Sequence, residues 1–301
     1  MSEIHNSFES FGFKPQIMRG IKEAGFTDPS PIQVEAIPYI LAGRDLIGQA
    51  HTGTGKTAAF GLPAMNQIER DNTVALLVIT PTRELTTQVS DELFKLGRFA
   101  GMRTVTVYGG QSSHRQVDLI GRGAQVVVAT PGRLLDLLQS GRLAHFEPSI
   151  VVLDEADEML DMGFLDDIRE IFKFLPADRQ TLMFSATMPA PIRELAGRIL
   201  KDPISIKVTA EETTNKDIAQ HYYVIEEHER DDAILRLIDS EEPSKSIIFA
   251  RTKKEVDRLS TMLIAKGYGA KGLHGDMEQR GREEVIKGFK TGQLEILVAT
   301  D

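Results

Sequence analysis

Six short apolar runs, each followed by a stretch of helical character, constrain this chain more than any other feature. They are DLIGQA (Asp45–Ala50), VALLVIT (Val74–Thr80), TVTVY (Thr104–Tyr108), QVVVAT (Gln125–Thr130), IVVLD (Ile150–Asp154) and TLMFS (Thr181–Ser185). Most are continuously apolar rather than alternating, which suits strands buried on both faces of a parallel sheet. Strand and helix alternating over the first two-thirds of the chain predict an open α/β sheet covered by helices on each side. A length of 301 residues allows about two such domains.

The rhythm lapses at KVTAEETTNKDI (Lys207–Ile218), which reads as a linker, and then restarts. HYYVI (residues 221–225), SIIFA (Ser246–Ala250), AKGLHG (residues 270–275) and EILVAT (Glu295–Thr300) are predicted strands, with helices between them. The expected organisation is a first domain over 1–208, a linker over 209–217 and a second α/β domain over 218–301. The sequence reaches Asp301 at the carboxyl end of a predicted strand, where an open sheet ordinarily continues into a loop and helix. The second domain is therefore expected to be incomplete and the chain a fragment.

Composition narrows the classes of function. A net charge of −9 argues against a general nucleic-acid coat protein, although it leaves room for a local basic groove. With no cysteine, disulfides and thiolate metal sites are excluded, and a reducing compartment fits. The N-terminus lacks a basic start followed by an apolar run, and no apolar stretch reaches the roughly 18 to 20 residues that span a bilayer. A soluble, cytoplasmic protein without a membrane partner is expected.

AHTGTGKT (Ala50–Thr57) lies between a predicted strand and a predicted helix. Its first position is alanine where the strict phosphate-loop pattern has glycine, but the chemically necessary parts are present. Gly53 and Gly55 let backbone N–H groups turn toward phosphate oxygens at the helix N-terminus, with Thr52 and Thr54 in the same loop. Lys56 is placed to reach β and γ phosphates, and the Thr57 hydroxyl to ligate Mg²⁺. A glycine-rich turn with an incidental lysine is the plainer alternative. Against it stands VVLDEADEML (Val151–Leu160), where four acids crowd the end of a strand. Such crowding is costly unless a cation offsets it. Asp154 reads as the Mg²⁺-side acid, Glu155 as the base that orients and deprotonates water, and Glu158 as a solvated charge at a helix start.

Asp154-Glu155-Ala156-Asp157 spells D-E-A-D, and with the phosphate loop it closely resembles the DEAD-box RNA helicases of helicase superfamily 2. The resemblance covers essentially the whole chain, with motifs in the family's order. FTDPSPIQ (Phe26–Gln33) resembles the adenine-recognising Q motif, whose span would be 6–34. PTREL (Pro81–Leu85), Gly109-Gly110 and TPGR (Thr130–Arg133) resemble RNA-contacting motifs, and SAT (Ser185–Thr187) follows. SIIFART, LHGDMEQRGR and VAT with Asp301 resemble motifs of the second domain.

The resemblance implies two tandem RecA-like P-loop domains, the second incomplete, an ATPase stimulated by RNA, and ATP with Mg²⁺ as cofactors. It implies that Phe26 stacks on adenine while the Gln33 amide pairs with it, a pairing the amide's donor and acceptor permit. Phe8 packs behind this loop or belongs to the core. Asp157 is implied to hydrogen-bond Ser185 and Thr187 and so to link nucleotide to domain closure, which puts Lys56, Asp154, Glu155, Asp157, Ser185 and Thr187 in the catalytic set. RNA is implied to meet Arg83, Gly109, Gly110, Thr130, Gly132 and Arg133 in the first domain, and Thr252, Gly275, Gln279, Arg282 and Thr300 in the second. For any single one of these a salt bridge or a turn is the competing explanation. Contacts of this type read the sugar–phosphate backbone rather than base sequence, on a core expected to be monomeric.

Two departures stand out. Thr86 occupies a position where the family most often has alanine. The family's later motif, with a histidine and two arginines that reach the γ phosphate, has no counterpart in these 301 residues. An arginine finger accelerates hydrolysis by about 10³ to 10⁵, so the chain is expected to bind ATP and turn it over poorly. A DNA-directed translocase and a non-catalytic RNA clamp are the competing readings. A metalloenzyme without nucleotide is disfavoured, because the seven histidines form no ligand pair at helical spacing.

Overall fold

In the computed structural model, which describes residues 7–69, 73–143, 146–208 and 219–300, the apolar runs become strands. The strands are β1 (Leu46–Gln49), β2 (Leu76–Ile79), β3 (Thr104–Val107), β4 (Val126–Ala129), β5 (Ile150–Leu153), β6 (Gln180–Ser185) and β7 (Ile204–Lys207). They form one sheet in the order β3-β4-β2-β5-β6-β1-β7, and every neighbouring pair is parallel.

Alternate residues of each run serve opposite faces, which explains why the runs are unbroken. Leu76, Val78, Val126, Val128, Ile150 and Val152 join a core with apolar residues of helices Pro31–Leu41, Lys56–Gln67 and Arg83–Gly97. Leu77, Ile79, Val127, Ala129, Val151 and Leu153 join a second core with helices Pro131–Gln139, Leu165–Phe174 and Ala190–Ile199. A strand that feeds two cores has no solvent-facing side on which to place a polar residue.

The structure adds one strand that the sequence reading lacks. β7 is an edge strand beside β1 with mixed burial, and its four residues, ISIK, carry little apolar signal. Lys207, the expected start of the polar stretch, closes this strand. Asp45 ties the local frame together, its carboxylate accepting from the N–H groups of Thr181 (2.8 Å) and Lys201 (2.6 Å). The expected linker 209–217, the first residue of the 6–34 span and Asp301 lie outside the described residues.

The chain divides into two compact units, Met1–Thr213 and Thr214–Asp301. The second holds β8 (Ser246–Ala250), β9 (Ala270–Leu273) and β10 (Ile296–Thr300) in a parallel sheet of order β8-β10-β9. Val256, Leu259 and Leu263 of helix Lys253–Ala265 pack on Ala250, Ala270, Ile296 and Val298. The predicted strand at 221–225 is corrected: HYYVI is in no regular element, with Tyr222 89% and Val224 91% exposed. β-propensity there finds no ladder to join, and a strand exists only through its pairing. Among the described residues no helix is long and apolar enough to cross a membrane.

Candidate functional site

Apart from the Phe26–Gln33 segment, which precedes β1, the motif residues of the first unit sit at or just beyond the carboxyl end of a strand, the edge where open α/β sheets build their sites. Strand order sorts them into two neighbouring groups. The loop after β1, the acids after β5 and the Ser185–Thr187 segment ending β6 come from three adjacent strands. The loops after β2, β3 and β4, which carry Arg83, Gly109, Gly110, Thr130, Gly132 and Arg133, come from three further strands that also lie side by side, in the order β3-β4-β2.

In the first group the loop 51–55 leads into helix Lys56–Gln67. Lys56 and Glu155 are both buried, and Lys56 Nζ donates to Glu155 Oε1 at 3.0 Å. Thr52 Oγ1 donates to the same oxygen at 2.9 Å. Glu155 stands at φ +58°, a left-handed conformation for a residue with a side chain, where the strand turns into helix Ala156–Asp161. Such a conformation costs about 1 to 3 kcal/mol and persists where surrounding contacts over-determine it. The Lys56 and Thr52 bonds are two such contacts.

Asp154 is 3% exposed, and its Oδ1 has no hydrogen-bond partner. Burial pushes its carboxyl up to about 7, against the pull of Lys56, and the nearby carboxylates of Glu155 and Glu92 push the same way. Glu92, on helix Arg83–Gly97, is itself raised by burial, and its carboxyl hydrogen-bonds the Thr57 side chain. Glu92 is a site residue that the sequence reading missed, and helical spacing alone does not reveal it.

These residues fit a hard cation. A buried carboxylate with an unpartnered oxygen, a hydroxyl at Thr57 and surrounding negative charge are the donors such an ion takes. Among the described residues no three acids or histidines form a ready-made cage. Mg²⁺ binds through one or two protein oxygens of this kind and keeps several waters and phosphate oxygens in its shell.

Asp157 links β5 to β6. Its Oδ2 accepts from the Thr187 N–H at 2.7 Å and the Thr187 hydroxyl at 2.9 Å. Its own N–H donates to Ser185 Oγ at 3.1 Å, and that hydroxyl donates to the Thr187 carbonyl at 2.7 Å. Burial raises the Asp157 carboxyl, but the bonds from Ser185 and Thr187 outweigh it and leave the group below its ordinary value. Glu158 is exposed.

Gln33 is 2% exposed and already engaged at both ends of its amide. Its Oε1 accepts the Ser30 N–H at 2.9 Å, and its Nε2 donates to the Gly55 carbonyl at 3.1 Å. The Ser30 hydroxyl donates to the Thr54 carbonyl at 2.8 Å. The Q-motif segment thus clamps the phosphate-loop candidate, and each Gln33 amide atom keeps one further hydrogen-bonding position. Ser30 was not among the expected residues, although Ser30-Pro31-Ile32-Gln33 has capping-box spacing and forms that box. Phe26 is half-buried and takes the edge of Phe8, ring centroids 6.1 Å apart, while Phe8 itself is 1% exposed in the core.

In the second group Thr86, the departure from alanine, is fully buried with its hydroxyl satisfied. It donates to the Thr82 carbonyl at 2.8 Å and lies 2.7 Å from Thr80 Oγ1, tying the β2 exit to the next helix. Arg83 lies beside Gly109, where an added Cβ would come within 3.2 Å of Arg83 Nη2. Arg133 Nη1 donates to the Gln111 carbonyl at 3.0 Å and to Gln116 Oε1 at 3.2 Å. Thr130 and Gly132 are half-buried at the start of helix Pro131–Gln139.

The second unit repeats the placement. Thr252 follows β8, Gly275 follows β9 and Thr300 ends β10, all on one sheet edge. Thr252 caps helix Lys253–Ala265 by accepting the Glu255 N–H at 3.2 Å. Gln279 and Arg282 lie in the first turn of helix Gln279–Thr291, with Gln279 Nε2 donating to Glu283 at 3.1 Å.

A parallel sheet with a glycine-rich loop after β1 and paired acids after β5 is the frame of a P-loop protein. The chain belongs to the DEAD/DEAH box helicase family, whose model matches residues 30–195, and the helicase conserved C-terminal domain matches residues 229–301. It is 56% identical over 295 residues to the DEAD-box ATP-dependent RNA helicase RhpA of Helicobacter pylori, covering 98% of this chain and 60% of that protein. It is 46% identical over 296 residues to the DEAD-box ATP-dependent RNA helicase CshA of Geobacillus kaustophilus, covering 98% of this chain and 63% of that protein. The chain therefore spans less than two-thirds of the length of these relatives.

Among solved structures, Saccharomyces cerevisiae Dbp5 bound to RNA and ADP BeF3 matches with a TM-score of 0.86 at 31% identity, over 98% of this chain and 76% of that one. A DEAD box protein from Methanococcus jannaschii matches with a TM-score of 0.66 at 36% identity, over 98% of this chain and 80% of that one.

Proposed function

We propose that this chain is the ATP- and RNA-binding core of a cytoplasmic ATP-dependent RNA helicase, with domains over 1–208 and 218–301 joined by a linker over 209–217. The observation that carries the reading is the buried Lys56–Glu155 pair beside Asp154, bonded by the exposed Thr52 and linked through Asp157 to Ser185 and Thr187. RhpA and CshA are named ATP-dependent RNA helicases, and the Dbp5 structure holds RNA and a nucleotide, which supports the same assignment here.

Lys56 and Glu155 neutralise each other, so a triphosphate enters by exchange. Its oxygens take the Lys56 ammonium and the loop N–H groups, and Glu155 is released to accept a proton from water. Thr57 and Asp154 would hold Mg²⁺, which when bound neutralises charge on the phosphates. Asp157 holds the Ser185–Thr187 segment against the acids, so a shift of the β5 end is passed to β6. The loops after β2, β3 and β4 present arginine, threonine and glycine groups to a sugar–phosphate backbone with little base preference. Slow turnover by these 301 residues alone remains part of the proposal, read as ATP hydrolysis with and without RNA.

The test is fluorescent-ATP binding and RNA-stimulated hydrolysis in the full-length protein, with RNA compared against DNA of the same sequence. Lys56→Ala is expected to abolish nucleotide binding, and Glu155→Gln to keep binding while lowering turnover by at least about 10²-fold. Unchanged turnover in Glu155→Gln would overturn the role given to Glu155, and RNA binding without ATP hydrolysis by the full-length protein would overturn the enzyme reading in favour of an RNA clamp. Equal stimulation by DNA would overturn the substrate.

A further inference from the structure

Gln116 is a buried amide on the sheet-facing side of helix Ser113–Gly121, and it is 2% exposed. An apolar residue would fill this position at lower desolvation cost, so the hydrogen bonds the amide makes are its reason for being there. Its Nε2 donates to the Tyr108 carbonyl at 2.9 Å. Its Oε1 accepts from Arg133 Nη1 at 3.2 Å, and the same nitrogen donates to the Gln111 carbonyl at 3.0 Å. Arg133 Nη1 carries two hydrogens, so both of its bonds form together. Gln111 Nε2 closes the ring by donating to the Tyr108 hydroxyl at 2.7 Å.

The carbonyls of Tyr108 and Gln111 flank the Gly109-Gly110 step, and both are drawn toward the protein by this network. Gly110 is exposed, at φ +88°, a conformation available to glycine without strain. Two glycines would otherwise make this the most deformable step of the loop. The network therefore supplies the rigidity that the loop's own sequence lacks.

We propose that Gln116 is a positioning residue for RNA: it locks the Gly109-Gly110 step to Arg133, so that the loop meets a sugar–phosphate backbone in one preformed shape. The role rests on the RNA reading above. It also gives Arg133 a second task, that of holding the loop which binds beside it. Preorganisation acts through affinity, because a loop that must be ordered on binding loses that entropy from the binding free energy.

The experiment replaces Gln116 with Met, which keeps the length and removes both hydrogen bonds, and with Glu, which keeps an acceptor for Arg133. Amide hydrogen exchange over residues 108–112, affinity for a fluorescein-labelled single-stranded RNA and affinity for a fluorescent ATP analogue are measured on each. For Gln116→Met the expected result is faster exchange in the loop and RNA affinity lower by about tenfold, equivalent to about 1.4 kcal/mol. Nucleotide affinity is expected to be unchanged, and Gln116→Glu to fall between Met and the parent.

Loop exchange like the parent's overturns the proposal, as does parallel loss of nucleotide and RNA affinity, which signals general unfolding. Faster exchange with unchanged RNA affinity overturns it too, together with the RNA assignment of this loop, and leaves the nucleotide reading intact. A parent chain that binds no RNA overturns the RNA reading itself, and hydrogen exchange then decides Gln116's hold on the loop.

Discussion

Asp154 carries the clearest conflict between stability and chemistry at the scale of single residues. Its carboxylate is buried, has an unpartnered oxygen and faces Glu155 and Glu92. Asp154→Asn removes the charge and keeps the shape. It is expected to stabilise the protein in EDTA by about 1 to 3 kcal/mol, seen as a higher melting midpoint, while Mg²⁺-dependent nucleotide binding is lost. An unchanged or lower midpoint would show that the buried charge is compensated by groups other than those described. Asp157 behaves oppositely. Its folded value is depressed, so its stabilisation is present above the ordinary carboxylate range and disappears as pH falls through the folded value. Asp157→Asn should therefore be less stable than the parent near pH 7, with the gap closing on acidification below about pH 4. Denaturant titrations at several pH values measure that gap. Lys56, Asp154, Glu155 and Asp157 were legible in the sequence because phosphate and metal chemistry dictates their types and order. That Lys56 and Glu155 bind each other, and that Glu92 meets Thr57, was not legible, because spacing along a chain carries no information on partners so distant in sequence.

Elements were legible where one run of residues determines them and illegible where pairing does. VVVA and IVVL announce themselves, since no other environment suits an unbroken β-branched run of that length. HYYVI has β-branched and aromatic residues of high strand propensity but no neighbouring strand, and ISIK becomes β7 only because β1 offers a free edge. The Ser30–Gln33 box shows the reverse case, a local signal with a distant consequence, since the box that starts helix Pro31–Leu41 also grips the loop 51–55. Gly55 is where the grip is tightest. It combines φ +86° with a Cβ position only 2.5 Å from Gln33 Nε2, whereas Gly53 has φ +85° and nothing within 4 Å of that position. Gly53→Ala is expected to cost about 1 kcal/mol from backbone strain alone. Gly55→Ala adds displacement of the Gln33 clamp and is expected to lose more stability, together with nucleotide affinity. Melting curves and nucleotide titrations on the two variants separate strain from clamp, and equal losses would mean that Gln33 yields freely.

Across the molecule, the two units differ in how much apolar surface they bury. The first has a packed core on each face of a seven-stranded sheet, built from fully buried side chains such as Phe60, Phe184 and Leu46. The second has three strands, a smaller core and, among its described residues, Ile247 50% and Phe249 67% exposed on β8. Its helix Arg230–Glu241 has no buried residue. Stability is the small difference between burial and chain entropy, so the unit with less burial per ordered residue unfolds first. Calorimetry of the chain is expected to show two transitions, the lower belonging to residues of the second unit. All phosphate-loop and acid-cluster residues lie in the first unit, so Mg²⁺–ATP should raise the upper transition, by about 2.7 kcal/mol at a hundred times its dissociation constant, and leave the lower in place. Phe249→Lys should lessen self-association on heating by charging an exposed edge, without moving the upper transition. A single transition that shifts as a whole with nucleotide would mean that the units unfold as one and that the smaller core is sustained by the larger.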